Sequence, residues 1–244
     1  MNQSLKRSYK SVTLCVALIV ISGLPAASQT PASKASRPVS LLEKVEWTWA
    51  DRAETIDPSL PNVLLVGDSI TRAYFPEVTK LLTGKANVYL FATSCASGDP
   101  RLPGQLHDYF SMQPITFAVI HFNNGMHGWA YTDSAYIAAL PDMVSIMRKE
   151  QPASRLIWSS TTPVRADKSG GASNTRIEER NAGAAAIMKR AGIPTDDQHL
   201  LMSSHNDLHA DDVHYNPAGS QLQAQQVFAS IFRLLPITAG EGKH

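Results

Sequence analysis

Two short stretches of the sequence carry residues that could perform acyl transfer. In the first, NVLLVGDSITRA, Asp68 and Ser69 follow a strand-like run and precede a helix-like segment. The N-terminus of a helix has free backbone N–H groups and a positive dipole end, and both stabilise developing negative charge. A serine at this point would be a nucleophile with anion-stabilising amides beside it. The alternative is that Asp68 or Ser69 only caps the helix.

A serine nucleophile needs a base, and the second stretch, DLHADDVHYNPAG, offers His214. Asp211 lies three residues before His214, a spacing that lets its carboxylate fold back onto the ring nitrogen that does not face the serine. Asp212 is a rival for this role. Because an aspartate and a histidine three residues apart are also common in surface turns, the pair alone is weak evidence.

Two further loops offer groups that could stabilise an oxyanion. The stretch VIHFNNGMHGW contains Asn123 and Asn124, either of which could donate its side-chain N–H; the alternative is a turn asparagine before glycine. The stretch TSCASGDPR contains Gly98, whose backbone N–H could approach a substrate closely, although a loop glycine is often only a turn residue.

Continuous apolar runs separated by helix-like segments predict the elements that position these residues. The runs are NVLLV (62–66), ANVYLFA (86–92), ITFAVIHF (115–122) and RLIWSS (155–160). Continuous apolar character is typical of strands buried on both faces. Strands that alternate with helices predict a parallel sheet between two helical layers, a three-layer α/β/α sandwich. In such sheets ligands bind beyond the carboxyl ends of the strands, where all the candidate residues lie.

Local signals also predict where several helices begin and break. Thr175 and Glu178 have the spacing of a capping box, which predicts a helix that starts at Thr175. Asn216 followed by Pro217 predicts the start of the last helix. Pro141 interrupts an otherwise helical pattern and is expected to kink or split that helix.

The N-terminal segment resembles an export signal. Basic residues precede an apolar run over residues 12–24 and then three small residues, a layout typical of a secretory signal peptide. The run is shorter than the roughly 20 residues that a membrane-spanning helix needs. We therefore expect residues 1–28 to be removed after Ser28. Residues 29–40 are rich in Pro, Ser and Ala and are expected to form a flexible leader.

The chain that remains after cleavage has the length of one compact domain and a net charge close to zero. Cleavage would leave 216 of 244 residues, with 19 basic and 21 acidic side chains and a net charge of −2. This balance argues against nucleic acid or an anionic membrane surface as a partner. Cys15 would leave with the signal peptide, and Cys95 alone cannot form an internal disulfide. No repeat or other pattern indicates an oligomeric state.

Taken together, these blocks resemble the SGNH hydrolases, also called GDSL esterases and lipases. The matching pieces are GDSI at 67–70, the loop glycine, an asparagine after the third strand and DDVH at 211–214. The resemblance extends over most of residues 60–235 and implies a flavodoxin-like parallel sheet in one hydrolase domain at 41–240. It also implies a set of site residues: Ser69, His214 and Asp211 as a triad, with the Ser69 and Gly98 amides and the Asn123 side chain as oxyanion donors.

Two blocks depart from the family pattern. His121 and Asn124 stand where the third block usually has glycine and aspartate, so Asn124 competes with Asn123 for the oxyanion role. In the second block Ala96 competes with Gly98 for the backbone amide.

Together with the signal-like N-terminus, the resemblance leads us to expect a secreted or periplasmic serine esterase that removes a short acyl group, such as acetyl, from an oxygen ester of a carbohydrate or small molecule. No cofactor and no metal are expected. The carbohydrate expectation rests on export, a polar chain, Trp129 as a sugar-stacking candidate and the lack of a long apolar insertion. A lipase, thioesterase or acyltransferase would use the same residues, and a non-catalytic sugar-binding or metal-binding protein is the alternative from another class.

Several other histidines and tryptophans have simpler alternative roles. His205 and His209 lie one helical turn apart, but no glutamate follows His205 as in zinc proteases, which disfavours a metal site. The alternative to sugar stacking by Trp129 is a structural role as a half-buried packing residue. Trp47 and Trp49, before the first predicted strand, are expected to be packing residues.

Overall fold

A computed structural model describes residues 39–236 of the protein. The predicted signal peptide and most of the predicted leader lie outside the described residues. Five parallel strands form the centre of the sheet: β2 (Asn62–Gly67), β3 (Asn87–Thr93), β4 (Phe117–Phe122), β5 (Arg155–Ser159) and β6 (Thr195–Asp196). β1 (Thr48–Arg52) pairs antiparallel with β3 at one edge, which gives the order β1-β3-β2-β4-β5-β6.

Helices cover both faces of this sheet. They are α1 (Ser69–Leu81), α2 (Leu102–Met112), α3 (Asp133–Glu150), α4 (Asn174–Ala191), α5 (Gln198–Met202) and α6 (Pro217–Phe232), with a short 3₁₀-helix at Asn206–Leu208. α1 packs against α6, and α3 packs against both α2 and α4. No helix among the described residues is long and apolar enough to cross a membrane.

The strand order confirms the predicted fold class. Without β1, the parallel strands follow the order second, first, third, fourth and fifth along the chain, which is the flavodoxin-like order. The antiparallel β1 was not predicted, because all five of its residues, TWADR, are exposed and form no apolar run.

Alternate side chains of the central strand β2 enter two separate cores. Leu64 and Val66 lie in the cluster that packs against α2, α3 and α4, whereas Val63 and Leu65 lie in the cluster that contains residues of α1 and α6. All four side chains are fully buried. Successive side chains of a β-strand point to opposite faces of the sheet. Because both faces are buried here, all four of these residues are apolar.

Of three local predictions about helices, the start of α4 is misplaced, the split of α3 at Pro141 does not occur, and the start of α6 is confirmed. α4 begins at Asn174, because the Ser173 hydroxyl accepts a hydrogen bond from the backbone N–H of Arg176; the capping box at Thr175 does not form. α3 continues through Pro141 and is not split, since Leu140 and Val144 hold it against the core.

The start of α6 was predicted correctly. The Asn216 side chain caps the helix by accepting from Gly219 N at 3.1 Å, and Pro217 is its first residue. The loop that contains His214 therefore ends at a fixed point, the start of α6.

Candidate active site

The turn after β2 presents Ser69 at the point where the strand order reverses. β2 lies between β3 and β4, and ligands of open α/β sheets bind at such a switch point. The Asp68 carboxylate accepts from Ile70 N at 3.0 Å, so Asp68 caps α1 and leaves the Ser69 hydroxyl free of that role. A Cβ on Gly67 would lie 2.0 Å from Thr71 Oγ1, which is why the turn requires glycine.

The loop before α6 brings a histidine and an aspartate to Ser69. His214 Nε2 lies 2.8 Å from Ser69 Oγ, and His214 Nδ1 lies 2.8 Å from Asp211 Oδ2. Asp212 instead accepts from the Arg165 guanidinium at 2.9 Å. Of the two aspartates, the one that contacts the His214 ring is therefore Asp211.

The environment of Asp211 keeps its carboxylate ionised. Burial opposes ionisation, but hydrogen bonds from the backbone N–H groups of His214 and Val213 and from the His214 ring outweigh it and lower the pKa of Asp211 to about 2. A carboxylate at Nδ1 fixes the proton on that nitrogen and leaves the Nε2 lone pair directed at Ser69. This geometry suits His214 to accept the serine proton.

His209, in the same loop, has other contacts. His209 Nδ1 lies 3.2 Å from the carbonyl of Asn206, and its Nε2 lies 3.3 Å from that of Pro163. The His209 ring packs on Tyr215 with centroids 4.2 Å apart, and the two residues form an antiparallel bridge. Within residues 39–236, no group of three or more His, Cys, Asp or Glu side chains is arranged to hold a metal ion.

Both candidate asparagines hydrogen-bond to the carboxyl ends of strands. Asn123 Nδ2 donates to the Ser159 carbonyl and to Thr161 Oγ1, towards β5. Asn124 Nδ2 donates to the carbonyls of Gly67 at 3.4 Å and Thr93 at 3.2 Å, between β2 and β3. Because both hydrogens of the Asn123 amide already have acceptors, its donation to an oxyanion requires one of these two bonds to be exchanged.

The loop after β3 contains the candidate backbone donors. Ala96 O accepts from Asp99 N at 2.9 Å, which closes a turn around Gly98. Among the hydrogen bonds within the described part of the chain, none uses the backbone N–H of Ser69 or Gly98. A Cβ on Gly98 would meet Tyr131 at 3.4 Å, an ordinary contact, so packing does not demand glycine there.

Sequence reasoning missed the arginine that positions the loop after β4. The Arg180 side chain is 1% exposed and donates to the carbonyls of Gly125, His127 and Gly128 and to the Asp133 carboxylate. These contacts hold the loop that follows Asn123 and Asn124. An arginine in an ordinary helical pattern gives no signal of such a role.

Trp129 belongs to the same structural cluster. Its indole N–H donates to the Met126 carbonyl at 2.8 Å, and the Arg180 guanidinium lies 4.0 Å from its ring centroid. These contacts support the packing alternative for Trp129 over sugar stacking.

The segment before β1 contacts the same loop from another side. Glu43 accepts from Gly128 N and pairs with His127 Nδ1, each at 2.9 Å. Burial opposes the charge on His127, but the Glu43 carboxylate and the nearby Asp68 raise the pKa of His127 above its ordinary value. Trp47 packs edge-on to the His127 ring at 5.7 Å, as expected for a packing residue.

Comparison with solved structures identifies the fold. A carbohydrate esterase family 3 protein from Talaromyces cellulolyticus shares 18% identity over 72% of this chain and 98% of its own, with a TM-score of 0.56. A member of the lipolytic G-D-S-L family from Veillonella parvula shares 16% identity over 71% of this chain and 99% of its own, with a TM-score of 0.59. An inhibitor-bound aryl esterase from M. smegmatis shares 13% identity over 72% of this chain and 100% of its own, with a TM-score of 0.58.

The chain therefore has the fold of the SGNH, or GDSL, hydrolases. No protein-family model matches the sequence, and no curated protein sequence matches it significantly. At identities this low, the shared fold is what the comparisons establish.

Proposed function

We propose that the chain is an exported serine esterase that hydrolyses short-chain acyl esters of oxygen, acetyl esters in particular, on a carbohydrate or another small alcohol. The observation that carries the proposal is the hydrogen-bonded chain from Ser69 through His214 to Asp211, with 2.8 Å at each link. The neighbours named as esterases support it at the level of the fold. The signal-like pattern of residues 1–28 supports export.

In the proposed reaction Ser69 Oγ attacks the ester carbonyl carbon while His214 Nε2 takes the hydroxyl proton. Asp211 stabilises the resulting imidazolium, and the proton then passes to the leaving alcohol. Water attacks the acyl-serine in the same way and regenerates Ser69 and the free acid. The N–H groups of Ser69 and Gly98 and the Asn123 side chain are the proposed oxyanion donors.

A short acyl group is supported by the sequence, which has no long apolar insertion that could shelter an acyl tail. The carbohydrate part of the proposal draws on the neighbour named as a carbohydrate esterase.

We expect 4-nitrophenyl acetate to be hydrolysed faster than esters of ten or more acyl carbons. Initial rates across a series of chain lengths measure this preference, and a fluorophosphonate probe should label Ser69. A preference for the long chains would overturn the short-acyl assignment. An unlabelled Ser69 together with no turnover would favour a binding protein instead.

Asn123→Ala is expected to lower kcat about a hundredfold with little change in KM, since an oxyanion donor acts mainly in the transition state. Steady-state kinetics with 4-nitrophenyl acetate separate the two constants. Asn124→Ala is the matched control, because it removes an amide from the adjacent position. If Asn124→Ala gives the larger fall in kcat, the oxyanion role belongs to Asn124.

A further inference from the structure

An exposed arginine lies one helical turn after Ser69 on α1. Arg72 is three residues along α1, so the Cβ atoms of the two residues are roughly 5–6 Å apart on the helix surface. A long helical side chain leans towards the helix N-terminus, here the edge of the sheet that carries Ser69. Arg72 is exposed, and its guanidinium forms no ion pair with any carboxylate of the described residues.

The Arg72 guanidinium stacks on an exposed tryptophan. Its central carbon lies 3.7 Å from the ring centroid of Trp49, which is 43% exposed. Trp49 pairs with Ala92, one residue before the end of β3, so the ring lies at the carboxyl edge of the sheet. Packing, the role expected for Trp49, therefore covers only part of its side chain, and the rest is open to solvent.

This arrangement differs from that of the other arginines near the site. Arg180 and Arg176 share the Asp133 carboxylate, and Arg165 pairs with Asp212. Each of these three guanidiniums already donates to a carboxylate of the protein. A guanidinium that stacks on a ring keeps its charge and its edge N–H groups available to a ligand.

The chemistry of the pair indicates what it would bind. The fork of guanidinium N–H groups matches the paired oxygens of a carboxylate or sulfate. The exposed indole offers an apolar surface beside it, as a sugar ring requires. Since the proposed acyl group is short, a charged substituent near Ser69 has to be on the alcohol.

We propose that Arg72 and Trp49 form a substrate subsite that binds an anionic group, a carboxylate or a sulfate, on the alcohol part of the ester. This rests on the proposed esterase function and narrows its substrate class to acetyl esters of acidic alcohols, such as acidic carbohydrates. A purely structural staple between β1 and α1 would use the same stacking but would not respond to substrate charge.

The test compares aryl acetates that differ in charge. The probes are 4-acetoxybenzoate, 4-acetoxybenzenesulfonate and the neutral methyl 4-acetoxybenzoate, with each kcat/KM divided by the alkaline hydrolysis rate of the same ester. At low ionic strength the wild-type protein should favour at least one anionic ester about tenfold, mainly through KM. The carboxylate and sulfonate arms show which anion the subsite prefers. Raising the salt concentration should reduce the preference.

Variants assign the preference to these residues. Arg72→Gln and Trp49→Leu should each remove most of the anionic preference, and Arg72→Lys should retain part of it because the charge remains without the fork. Arg52→Gln is the matched control: it makes the same charge change at the other end of β1, opposite Tyr89, and should keep the wild-type ratio. Thermal unfolding of each variant shows that the fold is intact.

The outcomes separate the subsite from the esterase function. Wild-type hydrolysis of the neutral ester without any charge preference overturns the subsite alone. An equal loss of preference in Arg52→Gln and Arg72→Gln also overturns it, because general surface charge would then be the cause. No hydrolysis of any of the three esters counts against the proposed function itself.

Discussion

Ser69→Ala and His214→Ala should each lose nearly all ester hydrolysis, by a factor on the order of 10⁴ or more in kcat. The serine supplies the attacking oxygen, and the imidazole 2.8 Å away is the group placed to accept its proton. Among the described residues, no other group in contact with Ser69 could act as the attacking oxygen or accept its proton. The measurement is turnover of 4-nitrophenyl acetate by protein freed of contaminating esterases.

The Ser69→Ala, His214→Ala double variant should be little worse than either single variant, because the two groups act as a unit. Ser59→Ala serves as the control, since Ser59 precedes β2 at the opposite end of the strand and should keep wild-type turnover. Circular dichroism checks that all variants fold. Wild-type turnover in Ser69→Ala would mean that Ser69 is not the nucleophile.

The parts of the fold that could be predicted are those written in contiguous residues. The run NVLLV is apolar throughout because both faces of β2 are buried, and this pattern predicts a central strand within one residue of its observed end. β1 has no such signal, since its five exposed residues form a strand only through pairing with β3. The start of α4 was misplaced by one residue because two cap signals compete over Ser173 and Thr175.

The same distinction between local patterns and distant contacts applies to the candidate site. Ser69 at a strand-to-helix turn and His214 three residues after Asp211 are local patterns, and the structure brings these three side chains together. The groups around them come from distant parts of the chain: Glu43 reaches His127 across 84 positions, and Arg180 reaches Gly125 across 55. No local pattern indicates such contacts, because they exist only once the sheet has brought the loops to one edge.

The two aspartates before His214 give the last prediction: Asp211→Asn should lower kcat by on the order of 10² to 10³, and Asp212→Asn by little. An asparagine at 211 can present its amide to Nδ1 and favour the wrong imidazole tautomer, which removes the lone pair that faces Ser69. The expected loss is below that of a fully buried triad aspartate because the Asp211 side chain is 59% exposed. Asp212 is the natural control, since it has the same residue type and similar exposure but pairs with Arg165.

Acid dependence adds a second measurement to this comparison. The folded-state pKa of Asp211 is about 2, below the roughly 3.9 of an unfolded aspartate, so its carboxylate stabilises the native loop fully above pH 4. That contribution is lost as the pH falls from about 4 towards 2, and Asp211→Asn should lack this component of acid destabilisation. The free energy of unfolding, measured between pH 2 and 6, gives this difference in stability between the variant and the wild-type protein. If Asp212→Asn instead loses both the activity and the acid component, the orienting carboxylate is Asp212, and the 2.8 Å contact between Asp211 and His214 has no catalytic role.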